Sequence, residues 1–177
     1  SSMKIAYFDS QTGLAGNILL GALIDAGLPV SYLNKELKKI HVTRYTLHVT
    51  KQKKEGLRGT YVEVRTKGKE KPRHLKEILS IINKSKLSKN VKVLSSKIFK
   101  RLAEAEAKVH GEPVGRVHLH EVGAIDAIID IVGACIGIEK LGIEKIYCSP
   151  LPSGKGRIVH THGLLSNPSP AAAELLK

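Results

Sequence analysis

The chain of 177 residues is 42% hydrophobic and 25% charged, a composition typical of a soluble globular protein large enough to bury a core. It contains no apolar run near the roughly 20 residues that a membrane span requires and no signal peptide before Met3, so we expect no membrane association. The net charge of +13 favours anionic partners, but the chain has no zinc-finger, RNP or helix-turn-helix pattern and few aromatic residues, which argues against nucleic acid.

The first half of the chain alternates strands and helices. "KIAYF" (4–8) is predicted to be a short buried strand, which leads through a glycine loop (10–17) into a helix over 18–27 with Asn17 as its N-cap. Ser31 is predicted to cap a second helix, and two segments with period-two alternation around a glycine turn predict a β-hairpin. Two more helices follow. The predicted bounds are 32–40 for the second helix, 45–66 for the hairpin, and 74–83 and 90–110 for the two later helices.

The second half centres on an aliphatic helix, predicted over 123–141. Two strands are predicted after it, at 144–152 and 156–160, and a last helix begins after Ser169. These elements predict an α/β fold, with α+β as the alternative: a mixed sheet flanked by helices, with a β-hairpin at one edge. The strands at 4–8 and 145–149 would be central in that sheet.

The cellular setting and the domain organisation follow from two observations. A helix has only begun where the sequence stops, so we expect residues 1–177 to be a single N-terminal domain of a longer protein, whose C-terminal domain is absent from this chain. The two cysteines, Cys135 and Cys148, are too few for a disulfide framework. We therefore expect reduced thiols in a cytoplasmic protein.

The segment "HLHEVGAIDAIID" (118–130) sets histidines and acids beside the most apolar helix of the chain. On that helix Asp126 and Asp130 share a narrow arc with Gly133 and Gly137, while the rest of the circumference is aliphatic. This arc has two interpretations. It is either the solvated edge of a core helix or a stripe that lets something approach the helix backbone closely.

Two His-x-His pairs point towards a metal. In an extended segment His118 and His120 would face the same side, with Glu121 next to them, and His160 and His162 repeat the spacing. Imidazole suits nickel, zinc and copper, and carboxylates can complete such a site. From these residues alone a metal site and a chance surface arrangement are about equally supported. The other histidines are interpreted as structural or surface residues: His41, His48, His74 and His110.

A second candidate site is the loop after the first strand. The strand would deliver Asp9 to a glycine loop that opens a helix, where free backbone N–H groups favour an anion. Gly13 and Gly16 do not have the spacing of a Walker A or GxGxxG motif. The alternative is a tight turn with Asn17 as the helix cap.

Four segments resemble, in order along the chain, the N-terminal portion of the LarC nickel-insertion family. They are "KIAYFD...G..GN..LGALIDAG", "RLAEAEAKVHG", "VHLHEVGAIDAIIDIVGA" and "SPLPSG...HTHG....PSPAAAELL". The resemblance implies a nickel chelatase, a lyase that inserts nickel into a pyridinium bisthiocarboxylate mononucleotide and so forms the nickel-pincer nucleotide cofactor. It further implies that the reaction depends on CTP and a divalent metal bound by the missing C-terminal part, and it is compatible with a homo-oligomer of the full-length protein.

The resemblance also assigns roles to residues. It makes the histidine and aspartate positions of the third segment the best candidates for nickel, and we expect metal binding by His118, His120 and His162 with Asp126 or Asp130 nearby, with Glu121 and His160 as further candidates. We separately expect the loop with Asp9, Gly13, Gly16 and Asn17 to contact the phosphate of the anionic mononucleotide. The chain departs from the family at Ser10, where the family has cysteine, and at Asn17, where it has an acid. We expect the fragment alone to bind metal without turnover. The alternative is a basic nucleic-acid-binding or regulatory module.

Overall fold

The computed structural model describes residues 4–8, 16–42, 44–54, 57–119 and 123–148. Within these ranges the chain alternates helices and short strands, and the predicted α/β class is confirmed. The elements are β1 (Lys4–Phe8), α1 (Gly16–Asp25), α2 (Val30–Leu37), β2 (Tyr45–Lys54), β3 (Leu57–Thr66), β4 (Arg73–His74), α3 (Leu75–Lys84), α4 (Lys89–His110), β5 (His118–Leu119), α5 (Ile125–Lys140) and β6 (Ile143–Cys148). The strand predicted at 156–160 and the helix after Ser169 lie outside the described residues.

Strand pairing brings the two ends of the described chain together. β1 pairs with β6 in parallel, from Lys4 opposite Ile143 to Phe8 opposite Cys148. β2 and β3 form the predicted hairpin with antiparallel pairing, and β4 and β5 form a bridge of two residues each. In the described part of the chain the strands thus form three two-stranded sheets, where the sequence predicted one mixed sheet. The hairpin packs its buried face on α1 instead of extending the β1–β6 pair.

Helix α5 is the centre of the hydrophobic core. Its residues from Ile131 to Ile138 are all buried, and α1, α2, α4 and β3 pack around it. Such a helix has no face for water, which explains why its sequence is aliphatic on nearly the whole circumference. Cys135 lies within this run as a buried free thiol, and burial raises its pKa to about 12, as expected for an unreactive core cysteine. The side chain of Cys148 is outside the described part.

Helix α1 lies unusually close to the hairpin. A Cβ at Gly21 would overlap the carbonyl oxygen of Thr60 on β3, so glycine is required for this approach. One turn later the Asp25 carboxylate accepts hydrogen bonds from the backbone N–H (3.1 Å) and the hydroxyl of Thr60. These contacts fix the hairpin on α1 and, through α1, on α5.

Two predicted helix caps are wrong. α1 begins at Gly16, so Asn17 lies inside the first turn and is not the N-cap. α2 begins at Val30 after Pro29, so Ser31 also lies inside its helix; the fixed φ of Pro29 (−67°) makes it a suitable residue to precede a first turn. Among the described helices none combines the length and the apolar character that crossing a lipid bilayer requires.

Replacing Gly21 with alanine is expected to destabilise the chain by about 2 kcal/mol. The overlap with a backbone oxygen lowers the free energy of unfolding by about 3 kcal/mol, and the better helix propensity of alanine offsets about 1 kcal/mol of this loss. The control is Gly115→Ala, because a Cβ at Gly115 meets no atom within 4 Å. Urea unfolding of both variants tests this, and equal stability of the two would refute the close approach of α1 to β3.

Candidate metal-binding site

The starts of α1 and α5 lie at the same end of the fold. Gly133 of α5 faces Leu20, and Gly137, one turn later, faces Leu23 and Leu28, so the two helices run side by side in the same direction. A two-residue turn after Lys140 leads from α5 into β6, which pairs in parallel with β1.

The glycine stripe of α5 is a packing surface. Gly133 and Gly137 are both buried, and a Cβ at Gly137 would lie 2.9 Å from Leu28 Cδ2 and 3.0 Å from Leu23 Cδ1. The predicted close approach to the helix backbone is confirmed, and the solvated-edge interpretation is wrong for this half of the stripe. The reason is that leucines of α1 and of the segment after it fill the space that the missing side chains leave.

The acidic half of the stripe lies at the start of α5. Asp126 is exposed, and one of its oxygens accepts the Ala127 N–H (2.9 Å). Asp130 is half-buried, and its Oδ1 is buried without a hydrogen-bond partner among the described residues. Burial, followed by the negative charge of Asp126, raises the pKa of the Asp130 carboxyl to about 7. A buried carboxylate oxygen without a donor is costly, and a cation would satisfy it.

A backbone hydrogen bond joins the end of β5 to the turn just before α5. The N–H of Gly123 donates to the carbonyl oxygen of Leu119 (3.1 Å), and a Cβ at Gly123 would overlap that same oxygen. His120 and Glu121 belong to this turn in sequence but lie outside the described residues. Gly123 therefore allows the chain to turn directly from β5 into α5.

Two residues of the segment before α3 hold the start of α5. The guanidinium of Arg73 donates to the carbonyl oxygen of Gly123 (2.7 Å), and the Glu70 carboxylate accepts the N–H of Ile125 (2.7 Å). Ala124, the N-cap residue of α5, offers no side-chain acceptor, so Glu70 supplies one from a distant part of the sequence. Arg73 and Glu70 also approach each other, at 3.8 Å.

His74, which the sequence interpretation took as a structural or surface residue, lies next to a candidate ligand. It pairs directly with His118 across the β4–β5 bridge, and the two ring centroids are 4.0 Å apart with an interplanar angle of 42°. His74 is half-buried and His118 is exposed. A two-residue bridge leaves no periodic pattern in the sequence, and the one available signal was the position of His74 directly before a helix.

The candidate residues are only partly brought together. His118, Asp126 and Asp130 lie on β5 and the first two turns of α5, and Gly16 and Asn17 lie in the first turn of α1. Within the described ranges no group of three histidine, cysteine, aspartate or glutamate residues is arranged to hold a metal ion. Six predicted site residues lie outside these ranges: Asp9, Gly13, His120, Glu121, His160 and His162.

A surface cavity elsewhere does not have the chemistry of a metal site. It measures about 720 Å³ and lies between the end of α2 and the start of β2. Its ionisable lining residues are Lys38, His41, Arg44 and Tyr45, with no carboxylate among them. A cavity with this lining does not attract a cation, so the start of α5 remains the candidate metal site.

The geometry defines an α/β protein in which histidines and carboxylates flank the start of one buried helix. The chain belongs to the nickel insertion protein family, whose profile matches residues 6–177. It is 48% identical, over 98% of its length, to the pyridinium-3,5-bisthiocarboxylic acid mononucleotide nickel insertion protein of Desulfitobacterium hafniense (strain DSM 10664 / DCB-2). Proteins of Geotalea daltonii and Dictyoglomus thermophilum that are named for nickel insertion are 46% and 43% identical, each over 99% of the chain.

The match covers part of each relative. The chain spans 43% of the Desulfitobacterium protein and 45% of the Geotalea and Dictyoglomus proteins. No solved structure matches the chain.

The raised pKa of Asp130 predicts that the stability of the folded chain decreases as pH rises. Between about pH 4 and 7 the folded chain retains a proton on Asp130 that the unfolded chain releases, so the free energy of unfolding decreases as pH rises through this window. A shift of this size corresponds to about 4 kcal/mol at most, and partial exposure reduces it to about 2 kcal/mol. Asp130→Asn should remove the decline and be the more stable protein above pH 7.

Urea unfolding with a metal chelator present, repeated from pH 4 to 8, measures this effect. The exposed Glu104→Gln on α4 is the control and should follow the wild-type profile. An Asp130→Asn profile that also falls would show that this carboxyl is not the source.

Proposed function

We propose that this chain is the nickel-handling part of an enzyme that inserts nickel into an anionic mononucleotide. The observation that carries the proposal is the Asp130 carboxylate oxygen, buried without a hydrogen-bond donor among the described residues, in a member of the nickel insertion family. In this chain of net charge +13, a pair of carboxylates next to histidines is a local exception that favours a cation.

The proposed nickel ligands are imidazoles and carboxylates. His118, His120 and His162 would bind Ni²⁺ with Asp126 or Asp130, and Glu121 and His160 are further candidates. Imidazole nitrogen is a good ligand for Ni²⁺, and carboxylate oxygen completes its coordination while lowering the charge. His118 supports this by its position just before α5, and the two aspartates by their positions in the first two turns of α5.

The acceptor of the metal is proposed to be the pyridinium bisthiocarboxylate mononucleotide named for the Desulfitobacterium relative. Its negative charges suit the basic surface of the chain. The start of α1, at Gly16 and Asn17, has backbone N–H groups that the helix itself does not pair and that suit a phosphate, and Asp9 and Gly13 precede it in sequence. The product would be the nickel-pincer nucleotide cofactor.

The complete reaction is proposed to need a longer, cytoplasmic protein of which this chain is the N-terminal domain. Its relatives are more than twice as long as the matched region. CTP and its divalent metal are assigned to the remaining part, because the glycine loop after β1 has no following Lys and Ser to hold a triphosphate. A homo-oligomer would form through the full-length protein.

The chain without a histidine tag is expected to bind Ni²⁺ with micromolar affinity, and His118→Ala/His120→Ala should abolish that binding. The affinity should also fall below about pH 6, since protons then compete with the metal for imidazole lone pairs. Calorimetric titration measures both effects. The matched control is His48→Ala/His110→Ala, which removes two histidines from β2 and the end of α4.

Nickel affinity that survives in the His118→Ala/His120→Ala variant would remove these histidines from the site. Salt-sensitive DNA binding by a chain with no metal affinity would support the alternative, a basic nucleic-acid-binding or regulatory module motivated by the net charge.

A separate prediction concerns CTP. The full-length Desulfitobacterium relative is expected to consume CTP, whereas its first part, cut to the 174 residues that match this chain, should bind nickel without consuming CTP. Phosphate or pyrophosphate release measures the difference. CTP consumption by the shortened protein would contradict the proposed division between the two parts.

A further inference from the structure

His74 and His118 face each other as a cross-strand pair. Residues directly opposite in an antiparallel bridge have Cβ atoms roughly 5 Å apart, and these two rings lie with centroids 4.0 Å apart. Both side chains have access to solvent. Two imidazoles so placed can direct nitrogen atoms at one point between or above them.

The side chain of His74 takes part in the capping box of α3 and also lies against Val117. Its Nδ1 is 3.2 Å from the carbonyl oxygen of Val117, and because a carbonyl only accepts, this contact is a hydrogen bond in the tautomer that carries the proton on Nδ1. The lone pair of the neutral ring is then on Nε2. A histidine that donates one ring N–H to a backbone carbonyl while the other nitrogen carries the lone pair has the arrangement found in metal-binding histidines.

Contacts of the residues next to the pair connect it to the segment that leads into α5. Arg73 precedes His74 on the strand, so its side chain leaves the opposite face, and its guanidinium is held by the carbonyl oxygen of Gly123 at 2.7 Å. Glu77 approaches from α3, where its carboxylate accepts the backbone N–H of His74 (3.2 Å). The link from Arg73 to Gly123 holds the His74 strand against the residues that lead into α5.

From this geometry we propose that His74 is a nickel ligand, which binds through Nε2 next to His118. The proposal rests on the proposed function, since it adds a ligand to the same site. The nickel site would then include a residue from the first half of the chain, whereas the sequence motifs place the site in the second half. His74 and His118 would supply two ligand nitrogens in addition to any ligand from residues 120–122.

The variant that separates binding from folding is His74→Asn. The asparagine amide can donate to the Val117 carbonyl as Nδ1 does, and asparagine is a good N-cap for α3, but nothing replaces Nε2. We expect His74→Asn to keep the wild-type unfolding midpoint in chelator and to lose at least about 10-fold in Ni²⁺ affinity. His74→Ala should lose affinity and stability together.

Two measurements on the untagged chain test this, with Ni²⁺ alone as the probe. Calorimetric titration gives the affinity, and nickel K-edge X-ray absorption gives the number of imidazoles on the metal, which should fall by one in His74→Asn. His48→Asn on β2 is the control and should change neither value.

Unchanged affinity and imidazole number in His74→Asn would overturn this inference. If His118→Ala/His120→Ala still abolishes binding in that case, the proposed nickel site stands without His74. If that double variant also binds nickel normally, both proposals fall.

Discussion

The enclosure of helix α5 is the constraint on which the rest of the described structure depends. A helix that is buried from Ile131 to Ile138 can meet solvent only near its ends, and its position along the core is set by the contact of Gly133 and Gly137 with leucines of α1 and the segment after it. Any larger side chain at these glycines would move α1 away and, with it, the hairpin fastened by Asp25 and Thr60. The same contacts fix the level at which α1 and α5 begin, so the core packing sets the spacing between the two candidate sites.

Burial also explains the state of the two acids. Asp126 lies at the exposed start of α5, in contact with water. Asp130 is one turn deeper, where burial and the charge of Asp126 disfavour ionisation. A divalent cation would relieve both effects together, because it supplies the missing partner of Asp130 Oδ1 and compensates the repulsion between the carboxylates. In the proposed function, the free-energy cost of the Asp130 carboxylate without a cation favours binding of the metal.

The sequence predicted the parts of the fold that depend on local pattern. The strand at 4–8, the helix ending near Gly27, the hairpin and the aliphatic helix follow from periodicity and from glycine at positive φ (116° at Gly27), and each is found within two residues or so of its predicted bounds. The cap at Asn17 was wrong because helix ends are decided by single hydrogen bonds. The contacts of His74 with His118 and of Glu70 with Ile125 could not be predicted, because the partners are distant in sequence and a two-residue bridge has no period to detect.

Long-range contacts of this kind also decide how the site is held. Arg73 and Glu70 form hydrogen bonds with Gly123 and Ile125, which lie 50 and 55 residues further along the chain. These two hydrogen bonds come from a separate segment of the chain and fix the position at which α5 begins. A metal that must be handed over needs ligands that are ordered but accessible, and the side chains of His118 and Asp126, on β5 and in the first turn of α5, are exposed.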